Sequence, residues 1–268
     1  MNKKLLIILC VAGLLVWTAF WLYDYTRDDA TKKGGDLYKT IIKRGYMIVG
    51  VKTDSKPFGF IDANGKNAGF DVDIAHHIAK EILHNEQKVE FVPVKESERM
   101  YLLNLGKVDM IIATMTITPK RQHFADFSNA YYITGQTLLV KAGSPIRSLA
   151  DLNNKNVGVI FGSTAEETIK FLLPTAHVLG YRTYDEAYNA LKNGTVLGIT
   201  SDDALLRTYA LKDPSVVLLP KRYSRDSYGV AFRRGEESNY MINTVNNIIS
   251  DMDRRGIFTQ LKRKWDLD

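Results

Sequence analysis

Cysteine is almost absent from this chain: Cys10 stands alone, so no internal disulfide can form and cysteine usage says nothing about redox compartment. Histidine is scarce too, with five residues. His76 and His77 are adjacent, so on a helix they face opposite sides and cannot make the i, i+4 pair of a helical metal site. The G-x-S-x-G turn of a nucleophile elbow is missing, and the scattered Ser, His and Asp residues show no triad pattern. No stretch interleaves basic residues with aromatics, so the formal net charge of +6 reads as weak surface basicity, not a nucleic-acid face. Solenoid-period repeats and low-complexity tracts are lacking. Cofactor and metal are therefore not expected. The 268 residues, 45% hydrophobic and 25% charged, are ordinary globular material, enough for one or two sizeable cores.

One long uncharged run is present. After "MNKK" come nineteen residues, Leu5 to Tyr23, without a charge. At about 1.5 Å per residue they just cross a hydrocarbon core of roughly 30 Å. Lys3 and Lys4 suit the cytoplasmic side, and Trp17, Trp21 and Tyr23 the far interface, so the rest of the chain is expected outside the cytoplasm. Two readings stay open for residues 1–23. An uncleaved hydrophobic helix would tether the chain to the membrane; a signal peptide would be removed, although Ala19 with Trp17 two residues before it makes a poor cleavage site. Residues 24–36 are a polar linker.

From Tyr46 onward, short apolar runs alternate with amphipathic ones. "YMIVGVK", "VEFVPV" and "VDMIIAT" read as strands. Between them, "GFDVDIAHHIAKEILHN" places Ile74, Ile78 and Ile82 on one helical face, and "SERMYLLNLG" is a short helix with Ser97 as cap and Gly106 as stop. A second series follows: strands "NVGVIF", "HVLGYRT", "VLGITS" and "SVVLLP", with helices "STAEETIKFLL", "DEAYNALKNG" and "DDALLRTYALK" between them. This alternation predicts an α/β protein of two lobes, each with a parallel sheet covered by helices on both faces. The tail, "SYGVAFRRG" and two further helices, is expected to return to the first lobe.

In open parallel sheets ligands sit outside the carboxyl ends of the strands. Polar residues gather at those ends: Lys52 after the first strand, Thr114 and Thr116 after the third, Gly162, Ser163 and Thr164 after "NVGVIF", Ser201 and Asp202 after "VLGIT". Each has a structural alternative. Ser163 or Thr164 can serve as a helix cap as readily as an anion contact, Asp202 can be a cap, and Arg121 can be a solvated arginine.

The stretches "VGVKTDSKPFGF", "GKNAGFDVDIAHHIAKEI", "GKVDMIIATMTITPKRQHFADFSNAYYITGQTLLV", "SLADLNNKNVGVIFGST" and "SYGVAFRRG" resemble, in order, the signatures of the bacterial extracellular solute-binding proteins of family 3, amino-acid-binding components of ABC importers. The resemblance spans about Leu37 to Trp265; its most specific piece is T-I-T-x-x-R followed by D-F-S-x-x-Y-Y. It implies the type II periplasmic binding protein fold, two Rossmann-like lobes joined by crossover strands near Thr137 to Lys141 and near Asp226 to Val230, closing on a ligand by a hinge. Lobe 1 would comprise 37–137 and 229–268, and lobe 2 138–228. It further implies that Arg121 grips an α-carboxylate, assisted by Thr116, Ser163 and Thr164, and that Asp202 takes the α-ammonium with the Thr114 position. Lys52 and Arg99 resemble the aspartate- and glutamate-binding branch, two cations that an acidic ligand side chain would settle. Phe58 and Phe60 suit either an apolar wall or core packing. The implied partners are a free L-amino acid and an importer permease, with the chain monomeric. Two rivals remain: an elimination enzyme on the same scaffold using Glu166 or Glu167, and a sensor ectodomain working through another protein.

Overall fold

The computed structural model describes residues 36–267; the leader Leu5–Tyr23 and the linker up to residue 35 lie outside them. The chain begins with α1 (Leu37–Arg44), which Asp36 caps by accepting from the Tyr38 amide, and enters β1 (Met47–Val51). A small three-stranded sheet follows, β2 (Asp54–Ser55), β3 (Gly59–Ile61) and β4 (Asn67–Ala68). Then come α2 (Phe70–Leu83), β5 (Val89–Pro93), α3 (Arg99–Asn104), β6 (Met110–Ile111), α4 (Pro119–Gln122) and β7 (Ala125–Thr134).

The second series is β8 (Gln136–Lys141), β9 (Asn156–Ile160), α5 (Thr164–Leu172), β10 (His177–Tyr181), α6 (Tyr184–Asn193), β11 (Gly198–Asp202), α7 (Asp203–Lys212) and β12 (Val216–Leu218). The chain returns through β13 (Asp226–Arg233) and ends in α8 (Glu236–Arg254) and α9 (Ile257–Lys264).

Two five-stranded sheets result, ordered β5-β1-β6-β13-β7 and β10-β9-β11-β8-β12. The expected alternation is present, but neither sheet is purely parallel. In the first, β1 is parallel to β5 and β6 whereas β13 is antiparallel to β6 and β7. In the second, β9 is parallel to β10 and β11 whereas β8 is antiparallel to β11 and β12. The cause is the double crossing: β8 and β13 each enter their sheet from the other lobe, so they run away from the cleft while the βαβ strands run toward it. Strand β8 lies wholly in the second sheet from Gln136 and β13 wholly in the first from Asp226, a few residues before the breaks expected at 137/138 and 228/229.

The helical face of α2 is as its spacing predicts. Ile74, Ile78 and Ile82 are buried with Val49, Val51 and Met47 of β1, each large side chain contributing roughly 1.5–3 kcal/mol of transfer energy. Phe58 belongs to this core: its ring meets those of Phe70, Tyr132 and Tyr228 edge-on. Phe60 packs edge-on against Trp265.

Ser97 does not cap α3. Glu98 occupies the cap position without a side-chain cap bond, and Arg99 is the first helical residue. Ser97 is instead pressed against the other lobe: a β-carbon added to Gly162 would stand 2.8 Å from Ser97 Cα. The lobes are thus closed upon one another, with a further contact where Lys120 Nζ of α4 meets Glu167 Oε1 of α5 at 2.6 Å.

Candidate ligand-binding cleft

The segments that follow β5, β6 and β9 and the end of β11 converge between the lobes on a chamber whose walls include Arg99, Thr114 and Thr116 from lobe 1 and Ser163, Thr164 and Asp202 from lobe 2. Six of the eight expected residues therefore meet there. Between the closed lobes it has about 10 Å³ of free volume, room for roughly one water molecule, so any larger ligand enters by hinge opening.

Asp202 ends β11 and is buried. Its carboxylate accepts from the Tyr228 hydroxyl, reaching across from β13, and no cation lies within ion-pair distance of it among the described residues. Burial pushes its carboxyl up to about 7, against the hydrogen bond from Tyr228. The next residue shows what a satisfied neighbour looks like. Asp203 accepts from Arg222 Nε at 3.0 Å and from the Thr134 hydroxyl at 2.8 Å, and no helix-capping bond comes from Asp202.

Arg121 sits on the short α4, whose cap Thr118 accepts from the Arg121 amide. Its guanidinium donates to the Thr116 carbonyl at 2.9 Å and has no carboxylate partner within ion-pair distance among the described residues. It lies beside Gly162 and Glu167 where the lobes meet and is not among the residues that line the chamber. Burial, and then the charge of Arg99, pulls its pKa down to about 9. An anion there would restore what both have removed.

Ser163 and Thr164 form the entry to α5. Ser163 caps the helix by accepting from the Glu166 amide at 3.2 Å, and the Glu166 carboxylate reaches back to the Gly162 amide at 2.8 Å. The Thr164 hydroxyl accepts from Gln136 Nε2 at 3.3 Å. The capping reading and the chamber-lining reading hold together. Thr114 adopts a positive φ of 48°, held by its amide donating to Asp71 Oδ2 at 2.7 Å. Asp71 also accepts from the Tyr131 hydroxyl at 3.0 Å, and burial raises its carboxyl to about 6.

At the remaining end the structure corrects a premise. Lys52 and Arg99 were expected as two cations awaiting an anionic ligand group. Lys52 is 1% exposed, yet its ammonium lies 2.6 Å from Glu96 Oε2 and 3.0 Å from Asp54 Oδ1. It is compensated from within the protein, and the chamber wall it backs is the Glu96 carboxylate. Arg99 donates to the carbonyls of Ala113 and Thr114, and its buried Nε has no partner. Nothing in "VKESERM" singles out Glu96, and nothing local singles out Tyr228 or Tyr184, a buried chamber residue whose hydroxyl shares a 2.8 Å bond with Ser201. Pairing across lobes leaves no mark on local sequence.

Glu166 pairs with Lys170 and the Gly162 amide, and Glu167 with Lys120, so neither stands as a free acid in the chamber. Among the described residues no group of three His, Cys, Asp or Glu side chains forms a metal cluster, and no helix is long and apolar enough to cross a membrane.

Two mixed α/β lobes, joined by paired crossovers and shut over a polar chamber, define a hinged solute receptor. Residues 47–268 match the model of the bacterial extracellular solute-binding proteins, family 3, and the chain belongs to that family. It is similar to the glutamine-binding protein of Geobacillus stearothermophilus, 40% identical over 83% of this chain and 86% of the relative. Its identity to the ABC transporter glutamine-binding protein GlnH of Bacillus subtilis (strain 168) is 37%, over 82% and 80%. Among solved structures, an ancestral arginine-binding protein bound to glutamine matches with a TM-score of 0.78 at 36% identity, covering 84% of this chain and 99% of that one.

Proposed function

We propose that the protein is the extracytoplasmic receptor of an ABC amino-acid importer, that it binds one free L-α-amino acid without altering it, and that glutamine is preferred. The observation that carries this is a pair of uncompensated opposite charges, one on each lobe. Asp202 is a buried carboxyl with no cation, pushed up, and Arg121 is a largely buried guanidinium with no anion, pulled down. A zwitterion supplies what each lacks, its ammonium to Asp202 and its carboxylate to Arg121, with Thr114, Thr116, Ser163 and Thr164 completing the clamp. Leaving either ligand charge unpaired in the cleft would cost several kcal/mol.

Glutamine is favoured over glutamate by the far end. The cations Lys52, Arg99 and Arg121 face the carboxylates Glu96, Asp54, Asp71 and Asp202, so the surroundings hold no excess positive charge for an acidic ligand side chain to settle. A side-chain amide offers an acceptor for Arg99 Nε and donors for Glu96; a second carboxylate would be repelled by Glu96. The two curated relatives named for glutamine support the same choice. Calorimetry of the full chain should show glutamine at least tenfold tighter than glutamate, about 1.4 kcal/mol, with the ligand recovered intact. Glu96→Gln should narrow that gap. Tighter binding of glutamate or aspartate would restore the acidic-ligand reading. Tethering through Leu5–Tyr23, a permease partner and a monomeric state complete the proposal; intact mass of the membrane-extracted protein tests the tether, which a mature N-terminus between Ala19 and Gly35 would remove.

A further inference from the structure

The chamber has a second compartment behind it. Tyr184 and Leu205, both buried, belong to its wall and also to the wall of a polar cavity of about 280 Å³ between the β2–β3 hairpin of lobe 1 and helices α6 and α7 of lobe 2. Lys52 spans the partition: its ammonium holds Glu96, which faces the chamber, and Asp54, which faces the outer cavity. The outer walls carry charges of both signs, Asp54 and Asp185 against Lys56 and Lys212, together with the rings of Phe60 and Tyr209. The Tyr209 hydroxyl is committed to Asp185 at 2.8 Å, and its ring packs on that of Tyr188 with centroids 4.8 Å apart. Lys56 and Lys212 have no carboxylate within ion-pair distance among the described residues.

We propose that this vestibule is the outer half of the ligand site and receives the tail of amino acids longer than glutamine, namely glutamines substituted on the side-chain amide nitrogen by a short polar group, the γ-glutamyl amides. The inference rests on the amino-acid reading above and extends it. An amide directed at Glu96 and Arg99 spends its oxygen and one N–H in the chamber. Its second N–H is where a substituent would leave, past Tyr184 and Leu205. The chamber between the closed lobes has about 10 Å³ of free volume and the vestibule about 280 Å³, so added atoms have space only outward. A tail ending in a carboxylate meets Lys56 and Lys212, whose charges the protein leaves without an acidic partner.

The test is titration calorimetry of the full chain, purified in mild detergent, with L-glutamine, N-ethyl-L-glutamine and γ-L-glutamylglycine. N-acetyl-L-glutamine, which blocks the α-ammonium, is the negative control. Both substituted amides should bind within about tenfold of glutamine. Thr208→Trp, which puts an indole into the vestibule from α7 and touches none of the clamp residues, should weaken both more than tenfold and leave glutamine within twofold. Lys56→Gln with Lys212→Gln should weaken γ-L-glutamylglycine selectively over N-ethyl-L-glutamine. Glutamine binding with a loss of more than a hundredfold for both amides overturns the vestibule and leaves the amino-acid reading intact. Amide binding that Thr208→Trp does not affect overturns it as well. Failure of every ligand, glutamine included, overturns the amino-acid reading and this inference with it.

Discussion

Asp202 and Asp203 are adjacent carboxylates in opposite circumstances, one without a cation and the other tied to Arg222 and Thr134. Removing one partner of a desolvated charge pair costs roughly 2–5 kcal/mol, so Arg121→Ala and Asp202→Ala should each weaken ligand binding some thirtyfold to several thousandfold by calorimetry. Unchanged affinity in folded variants would take both residues out of the clamp. The pH dependence follows from the raised carboxyl. Between its ordinary value of 3.8 and about 7, native Asp202 keeps a proton that the unfolded chain has lost, so ligand-free stability declines as pH rises through that window. Binding an ammonium ejects the proton. The Kd should therefore fall by up to about tenfold per pH unit from pH 5 toward 7, and level above it. Asp202→Asn should flatten the profile, and a slope that survives this change would place the titrating group elsewhere. Thr114, Thr116, Ser163, Thr164 and Asp202 were placed near the cleft by their strand-end positions, and Arg121 was singled out by family resemblance; Glu96 and Tyr228 carry no such mark, because their hydrogen-bond partners lie 44 and 26 residues away.

At the scale of the element, the lobes meet at the turn into α5. Gly162 sits at φ 79°, in the left-handed region, and its missing β-carbon is what lets Ser97 approach. Both obstructing atoms, Ser97 Cα and N, are backbone and cannot rotate away. Gly162→Ala should lower stability by about 1–3 kcal/mol through backbone strain and, separately, raise the Kd at least tenfold, because the clash acts only when the lobes are shut. Equal affinity in the variant, read by calorimetry beside a melting curve, would mean that the ligand is held without this contact. The neighbouring Lys120–Glu167 pair is an exposed bridge, so Lys120→Ala should change affinity less than fivefold and the effect should fade with salt. The sequence marked α5 correctly by its cap, while α3 begins one residue later than a Ser97 cap implies, Ser97 lying instead against Gly162 of the other lobe.

At the scale of the molecule, the lobes are joined by two crossovers that pass back to back. A β-carbon on Gly135 would meet the Ser224 carbonyl at 2.4 Å, and the Gln136 amide donates to the Ser224 hydroxyl at 2.8 Å. Asp203 joins them to lobe 2: its amide donates to the Gly135 carbonyl at 3.0 Å, and its carboxylate holds Arg222 and Thr134. Asp203→Asn removes the charge from that junction. Small-angle scattering should then show a larger radius of gyration, with affinity reduced severalfold and circular dichroism unchanged. A radius equal to the parent's would mean that closure is set by the seam and not by the hinge.

What the sequence determined on its own was the local record: which segments are helices and strands, how they alternate, that the tail rejoins the first lobe, and which strand ends carry polar groups. Periodicity and capping are short-range, and each is complete within one element. Strand direction at the crossovers, the pairing of Lys52 with Glu96 and Asp54, the orphaned state of Asp202 and Arg121, and the vestibule behind Tyr184 were decided by the tertiary structure. Charge compensation depends on distances between residues that only folding brings within a few ångströms, and a lysine reads the same in sequence whether its anion is a ligand or a glutamate 44 positions along.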